Sequence, residues 1–81
     1  MKARVTVSPK KTVLDPQGQA IGSALKGRGY ATVQDVRQGK VFEIELAKGT
    51  DSGKAKRDME EIARDVLSNP VIEDYRVEIL D

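Results

Sequence analysis

The chain has 81 residues, the size of one domain, and contains no His, no Cys and no Trp. Those zeros exclude the usual zinc sites, a thiol nucleophile, a Ser-His-Asp triad and a disulfide framework. Lys and Arg number 14 against 13 Asp and Glu, so the net charge lacks the basic excess of a dedicated nucleic-acid binder.

A chain this short buries about 60–65% of the surface its unfolded form exposes. Little interior is left for an enclosed active site, and association with copies of itself or with partners is a common source of added stability. Met1 to Val5 shows no long apolar run, and no stretch approaches the roughly 20 apolar residues of a membrane span. No signal peptide and a cytoplasmic location are therefore expected.

In chain order, Ala3, Val5 and Val7 alternate with Arg4, Thr6 and Ser8, which predicts a half-buried strand ended by Pro9. Asp15-Pro16 predicts a helix start, because Asp accepts from free first-turn amides and Pro suits the first helical position. Ala20, Ile21, Ala24 and Leu25 follow at helical spacing, and Arg28-Gly29 predicts the end, with Gly in the left-handed position. Gly18, Gly22 and Gly27 each weaken that helix by up to about 1 kcal/mol relative to Ala, which suggests close approach to another backbone.

Val33 to Gln38 reads as a strand with imperfect alternation, Gln38-Gly39-Lys40 as a tight turn, and Val41 to Leu46 as the clearest strand, the two strands forming a hairpin. After the Lys48–Gly53 loop, Met59, Ile62, Ala63, Val66 and Leu67 mark one face of a second helix. Ser68-Asn69-Pro70 stops it, and Tyr75, Val77 and Ile79 form a last strand. The order β-α-β-β-α-β predicts an α+β, ferredoxin-like fold: a four-stranded antiparallel sheet with two helices on one face, in a single domain over 1–81. The second face of the sheet, with Arg4, Thr6, Val41, Glu43, Glu45, Arg76, Glu78 and Leu80, suits either solvent or a sheet-on-sheet contact.

No segment carries catalytic chemistry. Gly49 to Lys54 is one residue short of a phosphate loop, has Ala55 where Ser or Thr should hold magnesium, and places Asp51 inside the cradle. Carboxylates on the second helix interleave with Lys and Arg at i, i+4, as on a solvated face. The three aromatics, Tyr30, Phe42 and Tyr75, provide no base-stacking platform, since Phe42 and Tyr75 fall on core faces. Two segments exceed what capping and turns require: Val13 to Ala20, with Leu14 just outside the helix and Gly18 in its first turn, and Asn69 to Tyr75, with Val71 and Ile72 adjacent.

These segments, "VLDPQGQAIGSAL" and "LSNPVIEDYRVEI", together with "VQDVRQGKVFEIEL", resemble the PurS family over essentially the whole chain. PurS is the small subunit of phosphoribosylformylglycinamidine synthase, a ligase of purine biosynthesis. The resemblance implies a subunit with no active site of its own in an enzyme that converts formylglycinamide ribonucleotide, ATP and glutamine. It implies a homodimer or homotetramer that joins a large synthetase subunit, PurL, and a glutaminase subunit, PurQ, so that ammonia passes between them. No cofactor is expected on this chain; ATP and Mg belong on the large subunit.

By motif match the contacts fall at Leu14, Asp15, Pro16, Gln17 and Gly18, at Arg37, Gly39 and Lys40, and at Asn69, Pro70, Val71, Ile72, Glu73 and Tyr75. The runner-up is an ACT-type regulatory ligand-binding domain, which shares the element order. A third reading, an acylphosphatase-like hydrolase, would need Arg28 and the sole Asn, Asn69, in an anion cradle.

Overall fold

The structure, a computed structural model, describes residues 1–80. Strand β1 (Lys2–Pro9) is the centre of a three-stranded antiparallel sheet of order β2-β1-β3, with β2 at Lys40–Glu45 and β3 at Glu73–Leu80. The alternation in the sequence sets the faces. Ala3, Val5 and Val7 are fully buried, and the register places Val5 beside both Phe42 and Val77, with Val7 beside Tyr75. Because side chains alternate along a strand, the other face carries Arg4 between Glu43 and Glu78. Arg4 and Lys2 both pair with Glu43, at 3.6 and 3.8 Å. Such exposed pairs contribute little, about 0–1 kcal/mol each, so the sheet rests on its apolar face.

Helix α2 (Ser52–Ile62) covers that face on the β3 side, burying Ala55 and Met59. Asp51 is its N-cap: the carboxylate accepts from the Lys54 amide at 2.9 Å. The helix continues as one π-helical turn over Ala63–Leu67. The wider turn shifts the helical phase, so Ala63 is buried and Leu67 packs on the core while Val66, expected on the same face, is 74% exposed. The Ser68 hydroxyl donates to the Ala63 carbonyl at 2.7 Å and closes that turn.

Two further expectations fail. Residues 33–38 form no strand, so among the described residues there is no hairpin and no fourth strand in the sheet. Val33 and Val36 have opposite parity and give the segment no single apolar face to bury. The chain also passes straight through Gly39: positive φ occurs only at Gly29 (94°) and Gly49 (80°) among the described residues, and a two-residue hairpin turn needs it.

The second failure concerns helix α1 (Pro16–Gly27). Its termini follow the sequence, with Pro16 in the first turn and Gly29 left-handed beyond the Arg28 cap. It does not pack on the sheet beside α2, however, and Ala20, Ile21 and Ala24 remain exposed. The radius of gyration is 16.1 Å and the long axis 51 Å, against about 12 Å of gyration for a compact chain of this length.

Truncating the core tests this layout. Val5→Ala is expected to lower unfolding free energy by about 2 kcal/mol, the loss of two buried methyl groups plus the cavity. Val41→Ala, 60% exposed on the opposite face, stays within about 0.5 kcal/mol. Urea melts of both variants measure the contrast.

Candidate functional site

The three motif segments meet at the C-terminal end of β1. Arg37 is the clasp. Its guanidinium donates through Nη1 to the Lys10 carbonyl and through Nη2 to the Lys11 carbonyl, each at 2.7 Å, while Nε faces Asp35 at 3.2 Å. The Lys10 amide donates in turn to the Ile72 carbonyl at 2.9 Å, which ties in the Asn69–Tyr75 segment. Asn69 organises that turn, with Oδ1 accepting from the Val71 amide and the Glu73 carboxylate accepting from the Asn69 amide at 2.8 Å. Asn69 is thus occupied in a turn, which removes the positioned Asn of the hydrolase reading.

Asp15 does more than begin a helix. Its Oδ2 accepts from the Gln38 amide at 2.8 Å, across 23 residues of chain, rather than making a side-chain cap of α1. That bond, with the Gly18 and Gln17 amides at the helix start as weaker contributors, holds its carboxyl below the ordinary aspartate value, helped by the Arg37 charge. Gly18 and Gly39 permit the close approach. A Cβ on Gly18 would lie 2.2 Å from the Val36 carbonyl oxygen, and one on Gly39 would lie 2.5 Å from the Val7 carbonyl oxygen. Gly27, by contrast, meets nothing, so the expected close approach explains Gly18 and not Gly27.

The candidates divide by what they do. Asp15, Gly18, Arg37, Gly39 and Asn69 are used in holding this end together. Tyr75 packs against the core. Leu14 and Val71 are 67% and 79% exposed and Ile72 is exposed as well; Pro16, Gln17, Lys40 and Pro70 are also on the surface. The sequence reading missed the Lys10, Lys11 and Val36 carbonyls, for which no side-chain signal exists. It also missed Gln38, which takes part through its backbone.

A groove of about 370 Å³ runs between residues 11–15 and the Asp35–Arg37 segment. No group of three potential metal-ligating His, Cys, Asp or Glu side chains occurs among the described residues. On the second helix, Lys54 and Asp58 close to 2.7 Å, while Arg64 turns to its neighbour Asp65 at 2.8 Å instead of Glu60. Among the described residues no helix is long and apolar enough to cross a membrane.

An open α+β domain whose sequence motifs converge on surface apolar residues has the character of a component of a larger assembly. Comparison with known proteins gives the particular one. The family model of phosphoribosylformylglycinamidine synthase PurS matches residues 2–81. The Bacillus subtilis synthase subunit PurS is 44% identical over 96% of this chain and 90% of its own length. The solved B. subtilis PurS structure superposes with a TM-score of 0.82 at 43% identity, covering 99% of this chain and 98% of that one. A chain of the Thermotoga maritima PurLQS structure matches with a TM-score of 0.83 at 29% identity, over 98% and 95% of the two chains.

This chain belongs to the PurS family, subunits of phosphoribosylformylglycinamidine synthase (EC 6.3.5.3) in purine biosynthesis. The match carries the whole fold, and nothing in it supports an ACT-type regulator.

Two measurements probe the clasp. Gly18→Ala is expected to lower amide-exchange protection across α1, because the Val36 carbonyl must move. Gly27→Ala is expected to raise it, by up to about 1 kcal/mol of helix propensity. For pH, a carboxyl whose folded value is depressed stabilises the ionised clasp above its unfolded value and loses that contribution as pH falls through the folded one. The Gln38 amide resonance should therefore titrate with a midpoint below 3.8, and Asp15→Asn should abolish that titration.

Proposed function

We propose that this chain is the assembly subunit of its synthase, self-associating and joining PurL and PurQ through the end of β1. The observation that carries the reading is the convergence of Leu14, Arg37 and Val71, from three separate segments, on that end. The contacts proposed are Leu14, Asp15, Pro16, Gln17 and Gly18, then Arg37, Gly39 and Lys40, and the Asn69–Glu73 turn with Tyr75. In this reading Leu14, Val71 and Ile72 supply apolar contact, and the clasp residues fix its shape. ATP and Mg sit on the large subunit, ammonia passes between the partners, and the complex works in the cytoplasm. The chain is one domain, and the four-stranded ferredoxin-like sheet is completed only on association.

The test is capture. The purified chain should co-purify with PurL and PurQ in the presence of the reaction's substrates. Val71→Asp and Leu14→Asp should weaken that capture at least tenfold without changing the circular dichroism spectrum. Val66→Asp, equally exposed but on the π-helical turn, should bind as the unaltered chain does. Unchanged capture by both substituted chains would refute this contact surface.

A further inference from the structure

Strand β3 has an open outer edge, because it bonds only to β1. The hydrogen bonds at its start fix which groups face out. The Lys10 amide donates to the Ile72 carbonyl, one step beyond the Pro9–Glu73 pair of the register. Bonded and unbonded pairs alternate along an antiparallel ladder, so Asp74, Arg76, Glu78 and Leu80 direct their amides and carbonyls to β1. The Leu46 amide, donating to the Met1 carbonyl, gives the same alternation from the β2 side. Tyr75, Val77 and Ile79 therefore present their amides and carbonyls to the open edge. Glu73 shares their phase, but its amide is taken by the Asn69 carbonyl at 2.8 Å.

Natural sheet edges are guarded by proline, lysine, bulges or inward charge. Between Tyr75 and Ile79 none of these occurs, and the register is unbroken. The two charges in that stretch, Arg76 and Glu78, lie on the other face and meet each other at 3.4 Å. The side chains of Tyr75, Val77 and Ile79 share the face that α2 covers, and there the helix leaves a groove of about 440 Å³. Ile79 lines one side of it, and Ser52, Gly53, Lys56, Arg57 and Glu60 of α2 line the other. The groove surface is mainly apolar, as when basic side chains lay their methylene stems along it. Lys56 and Arg57 are exposed and form no ion pair among the described residues, and Glu60 is the one acid in the lining.

We infer that the β3 edge and this groove receive an extended segment of a different protein, bonded antiparallel to β3, apolar at alternate residues and acidic overall. In such a pairing the residues opposite Val77 and Ile79 point to the α2 face. Their side chains enter the groove, and the basic heads of Lys56 and Arg57 select for acid. Adding a strand to an exposed edge takes affinity from the main chain and specificity from the pockets beside it. A second copy of this chain does not fit there. Its β3 would bring Tyr75 and Val77 already packed against their own core, with no free side chain to fill the groove.

Ile79 stands opposite Ala3, at the start of β1. The groove is thus about 20 Å along β3 from the Asn69–Glu73 turn, and the inference does not depend on the contacts proposed at that other end.

The probe is a blocked peptide with the eight residues of β3's length, alternating leucine and glutamate. Added to the full chain, it should slow hydrogen exchange of the Tyr75, Val77 and Ile79 amides at least tenfold. The Arg76 and Glu78 amides, already bonded to β1, should not change. The same peptide with lysine for glutamate should bind at least tenfold more weakly, and the double variant Lys56→Glu, Arg57→Glu should reverse that preference. N-methylation of the leucines, whose amides face β3, should abolish binding. N-methylation of the glutamates should leave it intact.

No slowing at the three amides, equal binding of the two peptides, or binding that survives N-methyl-leucine would overturn the inference. So would protection of those amides that rises with chain concentration without peptide, since a second copy would then hold the edge. Each of these results leaves the Leu14 and Val71 surface standing, because capture by PurL and PurQ tests that surface separately.

Discussion

The Arg37 guanidinium, donating to two consecutive carbonyls just beyond β1, is the interaction on which the shape of this chain depends. A planar fork of donors can satisfy adjacent backbone carbonyls at fixed geometry, which the single ammonium of Lys cannot. Hydrogen bonds from a charged donor contribute about 1.5–3 kcal/mol, enough to decide between two arrangements of a small chain. Here they hold the 33–38 segment against the β1–α1 connection. With Asp15 receiving the Gln38 amide, the two crossings at the base of α1 are locked, and the helix points away from the sheet.

That lock has a packing consequence. One helix cannot cover a three-stranded sheet, so the buried core is small, Ala3, Val5, Val7, Ala55, Met59 and Ala63 among the described residues, with half-buried residues such as Phe42 and Ile44 around it. A chain so extended carries more apolar surface than a compact one, and burial of such surface drives association. The property that makes the chain a poor candidate for an enclosed active site makes it suited to joining others. The net charge is only +1, so no strong field of one sign accompanies that apolar surface.

Much of the local structure was legible in the residues. The period-two patterns of β1, β2 and β3, the Asp15-Pro16 start and Gly29 end of α1, and the Ser68–Pro70 stop each have a short-range cause, and each is where the sequence places it. The motif segments were legible as well, since Leu14 and the Val71-Ile72 pair had no role in the elements around them. Their meeting at one end of β1 was not legible, because the atoms that join them are mostly carbonyls and amides, which every residue has. The phase shift that turns Val66 outward was equally hidden: a π-helical turn leaves no mark in an apolar pattern read at 3.6 residues per turn.

The sequence by itself determined three strands, two helices and the family, and added a fourth strand at 33–38 that the structure does not form. Alternation, capping and glycine placement act over a few residues, and the motifs stand in the chain as written. Only the tertiary structure decided that 33–38 runs as a strap and that α1 stands clear of the sheet. That decision belongs to Arg37 and Asp15, whose partners lie 23 to 27 residues away. It belongs also to two glycines whose missing Cβ atoms matter only once a distant carbonyl is brought against them.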